Sequence, residues 1–172
     1  VYAVIDREVE ALSPQDSDVI FLPFLYGTNT GCDSAAFMGL SGSHTTAHLL
    51  RAVFEGVAFS HRMHIERLLR FREKPVAIRM AGGAANSRVW VQLFADVLNC
   101  PIEVVTSKEL GTKGCAMAAS VAAGCYPNLG AAAAAMVGTV STVQPCAETA
   151  CVYDKKYRRY VDVTERLKGV FA

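Results

Sequence analysis

Six residues in this chain have types and spacing suited to holding a ligand: Gly82-Gly83-Ala84-Ala85-Asn86-Ser87. Two adjacent glycines remove Cβ atoms and admit positive φ, so a ligand can lie against bare backbone. Ser87 stands where it can cap a following helix, whose first free N–H groups attract a polar or anionic group. Together these features suit a nucleotide. The spacing is neither the dinucleotide-binding G-x-G-x-x-G nor a Walker loop, which needs Gly-Lys-Ser/Thr. The plainer reading of Gly-Gly at such a place is a tight turn that only packs. Other residues with chemical potential have plainer readings too. His44 and His48, and His61 and His64, can each share a helix face, but only Glu66 stands near as a further ligand and no H-E-x-x-H pattern occurs, so a metal site is not expected. Glu55 falls inside an apolar helical stripe and is expected to hydrogen-bond a neighbouring segment.

The elements that must position the glycine pair can be read on either side of it. Val76 to Met80 alternates as a strand does. Arg88 to Leu98 carries Val89, Trp90, Leu93, Phe94 and Val97 in one apolar stripe, the pattern of an amphipathic helix. The pair therefore sits where a strand passes into a helix. Upstream, Val1 to Leu12 reads as the end of an amphipathic helix, and Val19 to Tyr26 as a buried extended run that Pro23 keeps from being one regular strand. Gly27 to Ser34 reads as a small polar loop. A long helix is expected from a Thr45 or Thr46 cap to about Arg70. Downstream, Asn99-Cys100-Pro101 stops the second helix and Ile102 to Val105 is a short strand. Thr112 to Ala123 is a helix of small residues capped by Gly124, a compact helix follows Asn128, and a last helix spans about Tyr153 to Leu167. Alternating helices and strands imply an α/β layered fold.

With 172 residues, 52% hydrophobic and 19% charged, the chain can fill one domain-sized core. A net charge of +1 gives no electrostatic case for nucleic acid or an acidic membrane surface. The basic final helix is no exception. Lys155, Lys156, Arg158 and Arg159 alternate with Asp154, Asp162 and Glu165, so Tyr153, Tyr157 and Tyr160 are expected to pack while the charges are solvated. The six cysteines form no C-x-x-C pair and read as reduced thiols of a cytoplasmic protein. No run is long and apolar enough to span a bilayer. The chain starts at Val1 and its first methionine is Met38, as expected of a processed or excised piece.

Two longer patterns resemble a known family. Ala35-x-Phe37-x-Gly39-Leu40, seven residues, then His48-Leu49-x-x-Ala52-Val53-Phe54-Glu55 is similar to the second signature of the FGGY carbohydrate kinases. Gly82-Gly83-Ala84-x-x-Ser87-x-x-Trp90-x-Gln92-x-x-Ala95-Asp96 resembles the same family's adenosine motif, and Glu109 followed by Gly114-Cys115-Ala116 its Glu…Gly-Ala-Ala segment. The resemblance implies an actin-like, ribonuclease-H-like ATPase fold, with residues 1–172 as the C-terminal domain and the sugar-binding, catalytic N-terminal domain lying outside the chain. It implies transfer of the γ-phosphoryl group of ATP, with Mg2+ in the full-length enzyme, to a sugar hydroxyl, and a homodimer as one assembly state.

By carry-over, Gly82, Gly83 and Ala84 would line adenine or ribose, with Asn86 and Ser87 offering polar contacts to the base. Gln92 would face the pocket or make a surface contact. In the family the catalytic aspartate lies upstream, so Asp33, Asp96 and Glu109 are not assigned that role and the chain alone is expected to be inactive. Phe21 to Gly27, Ala47 to His61 and Tyr153 to Tyr160 resemble the branch of the family that acts on a ketopentose such as L-xylulose. Gly27-Thr28-Asn29-Thr30-Gly31, in place of the Gly-Glu-Arg and proline common in the family, counts against D-xylulose or glycerol. Ala84-Ala85-Asn86 stands where a third glycine and a basic residue are frequent, which implies a shifted ligand contact. The other class of reading is a non-catalytic nucleotide-binding or assembly module on the same fold.

Overall fold

The structure, a computed structural model, describes residues 1–27, 34–105 and 109–170. Most of the loop expected at Gly27 to Ser34, including Cys32, Asp33 and the Thr28 to Gly31 departure, lies outside the described residues.

A three-stranded sheet supports the glycine turn. Strands β3 (Ile78–Met80) and β4 (Ile102–Val105) run parallel, pairing Ile78 with Ile102, and α3 (Arg88–Leu98) joins them. Strand β5 (Thr139–Val143) adds antiparallel to β4 with a register slip between Val104 and Val105, giving the order β3-β4-β5. The expected strand from Val76 is shorter at its start, because pairing begins only at Ile78, whose N–H reaches Pro101 O at 2.9 Å, while Val76 is exposed. Between β4 and β5 come α4 (Leu110–Ala122) and α5 (Leu129–Met136), which pack on each other. Asn128 caps α5, its Oδ1 accepting from Ala131 N at 2.9 Å. Gly124 ends α4 with φ 76°, its N–H bonding Val121 O and that of Cys125 bonding Ser120 O, the paired bonds of a glycine helix stop.

The other half is helical. Helices α1 (Tyr2–Glu10), α2 (Thr46–Leu68) and α6 (Ala147–Arg166) accompany a two-stranded antiparallel ribbon, β1 (Ile20–Leu22) with β2 (Ala36–Met38). Pairing in the Val19 to Tyr26 run stops at Leu22, just before Pro23. Thr45 precedes α2 and exchanges contacts with His48, whose Nδ1 accepts the Thr45 N–H at 3.1 Å. Helix α2 lies directly on β1 because residue 56 is glycine: a Cβ there would stand 2.2 Å from Phe21 O. The three tyrosines of α6 are buried as expected, with Phe59 5.8 Å from Tyr157 and 5.4 Å from Tyr160 between ring centres.

The same α2–α6 contact holds a buried set of charges. Glu55, 2% exposed, accepts from Arg51 Nε at 2.9 Å through Oε1 and pairs with Lys156 Nζ through Oε2. Arg51 also donates to Val9 O (2.9 Å), to Leu12 O and to Tyr153 Oη (2.8 Å). Lys156 donates to Pro14 O and Ser17 O at 3.0 and 2.9 Å. Glu55 thus ties α2 to α6, and its two cations tie both to α1 and the loop after it. Burial pushes the Glu55 carboxyl up and the Lys156 ammonium down, and their mutual attraction opposes both shifts.

Candidate nucleotide cleft

The turn after β3 is wound more tightly than an open loop. Gly83–Asn86 forms one turn of 3-10 helix, closed by Ala85 N to Gly82 O (3.1 Å) and Ser87 N to Ala84 O (3.2 Å). It is entered through Gly82 at φ 86°, which a side chain would strain. Ser87 then caps α3, its Oγ accepting from Trp90 N at 3.1 Å. No atom lies within 4 Å of where a Cβ on Gly82 or Gly83 would stand, so packing does not require a bare backbone at Gly83. The glycine pair forms an open shelf.

That shelf belongs to a cleft of about 1540 Å³. Gly82, Gly83 and Asn86 line it, with Asp6 and Glu10 of α1 on its border and Gln92 on α3. Ala84 and Ser87, expected with them, are in the same turn but not among its lining residues. Ser87 instead donates its hydroxyl proton to Asp6 Oδ1 at 2.9 Å.

Asp96, one turn beyond Gln92 and 4% exposed, also borders the cleft. Its Oδ1 accepts from Gln92 Nε2 (2.9 Å) and from Cys146 N (2.7 Å). Burial pushes its carboxyl up, and those two donors oppose the shift. Gln92 Nε2 is also 3.1 Å from Gln144 O, so this side chain both borders the cleft and ties α3 to the segment before α6. Trp90 does not line the cleft; it stacks on Phe54 at 4.1 Å. Glu109, at the start of α4, also lines the cleft.

The balance of charge limits what the cleft can hold. Asp6, Glu10, Asp96 and Glu109 face two cations, and Arg51 is already committed to Glu55. Among the described lining residues Arg88 alone is a cation with no carboxylate partner. Such a border suits the uncharged, donor-bearing half of a ligand better than a triphosphate. The histidines have local tasks: His44 Nδ1 accepts from Ser41 N at 2.9 Å, and His61 meets the Phe94 ring at 5.4 Å. Burial, with His64 adding to it, holds His61 below the usual imidazole range. The five described cysteines are free.

Asp6 and Cys146 were not expected at this site. Their partners are 81 and 50 residues away, and neither has a local pattern that announces the contact.

Residues 6–123 match the FGGY family of carbohydrate kinases, C-terminal domain. The chain belongs to that family. It is 39% identical over 169 residues to the L-xylulose/3-keto-L-gulonate kinase of Escherichia coli, covering 98% of this chain and 34% of that protein. The probable L-xylulose kinase of Pasteurella multocida is 35% identical over 170 residues, with the same coverage. Among solved structures, the xylulose kinase from Rhodospirillum rubrum superposes with a TM-score of 0.85 at 30% identity, over 99% of this chain and 35% of that one. The chain therefore spans about a third of the length of the FGGY kinases it matches, and it has their actin-like ATPase fold. No helix among the described residues is long and apolar enough to cross a membrane.

Proposed function

We propose that this FGGY domain is the adenosine-binding part of an ATP-dependent sugar kinase. In that enzyme the γ-phosphoryl group passes to the hydroxyl of a ketopentose such as L-xylulose. The observation that carries the reading is the open shelf over Gly82 and Gly83, where backbone is bare without any packing need for it. A flat base needs close backbone approach and a few oriented polar groups, and Asn86 lies beside the shelf to supply one. The acid-rich border supports the nucleoside end of ATP as occupant. The L-xylulose preference is supported by the names of the Escherichia coli and Pasteurella multocida relatives.

The phosphate and sugar contacts, and the carboxylate that receives the attacking hydroxyl's proton, belong to a separate N-terminal domain in this reading. Residues 1–172 would then transfer no phosphate by themselves. ATP fits this chain through its adenosine alone. Among the described residues no three His, Cys, Asp or Glu side chains gather at one point, so no position for Mg2+ is assigned to them.

The test is a calorimetric titration of the chain with ADP, with GDP as control. Saturable binding of ADP but not GDP is expected. Gly83→Val should abolish it by filling the shelf, and stability should change by less than about 1 kcal/mol because a Cβ there meets no neighbour and the position borders an open cleft. Unchanged ADP affinity in the folded variant, or no ADP binding by the parent, would overturn the reading.

A further inference from the structure

A hydroxyl has one proton to give. That of Ser87 goes to Asp6 Oδ1 at 2.9 Å, while Ser87 Oγ accepts from Trp90 N at 3.1 Å. Ser87 therefore holds no donor in reserve for a base. The carboxylate it orients is in a different position. Asp6 is half-buried on α1 and borders the cleft with Gly82, Gly83 and Asn86. Among the described residues Ser87 is its one hydrogen-bond donor, so Oδ2 has none. No cation pairs with Asp6 among the described ion pairs. A half-buried carboxylate oxygen beside a bare-backbone shelf gains most from a neutral ligand that brings an O–H or N–H. Glu10 stands one turn further along α1 and also borders the cleft, so a phosphate at this edge would be repelled.

We propose that Asp6 is the specificity-determining group of the cleft, its Oδ2 accepting a hydrogen bond from the nucleoside half of the nucleotide. Ser87 is its positioning residue: it fixes Oδ1 and so aims Oδ2. The inference rests on the adenosine reading above and moves the polar contact from the serine of the turn to a helix outside it. Two donors of adenosine have the required chemistry, a ribose hydroxyl and the exocyclic amine of the base.

The experiment compares the parent chain with Asp6→Ala by calorimetry, using ADP, 2′-deoxy-ADP, 3′-deoxy-ADP and the diphosphate of purine riboside, which lacks the amine. Alanine favours the helix, and a thermal unfolding midpoint near that of the parent checks that α1 is retained. The parent should bind one of the three analogues about tenfold more weakly than ADP, and that analogue identifies the donor. Asp6→Ala should bind ADP about tenfold more weakly and no longer distinguish it from that analogue. If Asp6→Ala binds ADP like the parent, or keeps the discrimination, the assignment to Asp6 is wrong while the nucleotide site stands. A parent that binds none of the four removes the adenosine reading itself, and the role of Asp6 with it.

Discussion

Glu55 and Asp6 are both carboxylates on helices, and their surroundings are opposite. Both Glu55 oxygens are taken by cations, and the group is sealed between α2 and α6. Asp6 borders an open cleft, with one oxygen held by a serine and no donor on the other among the described residues. A closed network of charges has no valence left for a ligand, so its use is to fix which segments meet. A half-filled one beside bare backbone still joins its own segments and keeps an oxygen for something that binds. The difference distinguishes architecture from site in a chain where residue type alone does not.

The largest effect should come from opening the closed network. Glu55→Ala leaves Arg51 and Lys156 in the interior without their countercharge, and should cost about 3–5 kcal/mol in a urea denaturation series. A loss well under 1 kcal/mol would mean the three charges are hydrated in solution and the comparison fails. At the cleft, Ser87→Ala should cost about 1 kcal/mol through the lost cap of α3. It should also weaken ADP binding, because Asp6 is no longer aimed. A variant with the stability loss but parent-like ADP affinity would make the serine a helix cap and nothing more.

The smallest effect concerns Asp96, which lies between the two extremes: buried, with one oxygen held by two neutral donors. Its folded-state pKa is raised, so the folded chain keeps this proton longer than the unfolded one. Stability from this group therefore falls as pH rises above the ordinary carboxylate value of about 4 and levels off past the raised one. Asp96→Asn retains an oxygen for Cys146 N and Gln92 and cannot ionise. Denaturation across that window should show the variant gaining on the parent as pH rises, by about 1 kcal/mol or less at neutrality. A gain that is already full at pH 3 would show that Asp96 does not titrate as its burial requires.

Much of the local structure was legible in the order of residues. Ser87 caps α3, Gly124 stops α4, Asn128 caps α5, and the three tyrosines of α6 turn inward, each within a few residues of its cause. Strands β2 and β5 were not expected. They are short, with three and five residues, and exist only because β1 and β4 present edges to them. The glycine turn was legible as a stretch of bare backbone between a strand and a helix but not as a 3-10 turn, since its winding depends on backbone bonds that no side chain in it signals. Within the candidate site, Gly82, Gly83 and Asn86 line the cleft, whereas the Ser87 hydroxyl bonds Asp6, a contact that no local pattern announces.

The sequence by itself determined where helices begin and end, which faces are apolar, that backbone is bare at Gly82 and Gly83, and which family's motifs the chain bears. Those are properties of neighbours along the chain, governed by capping, periodicity and steric freedom. Only the tertiary structure decided which polar groups neutralise one another. Arg51 finds Glu55 one helical turn away but Tyr153 across 102 residues, and Ser87 finds Asp6 across 81. Hydrogen bonds act over about 3 Å of space whatever the separation in sequence, so the saturation of a group, and with it the division between scaffold and site, is settled only when the chain has packed.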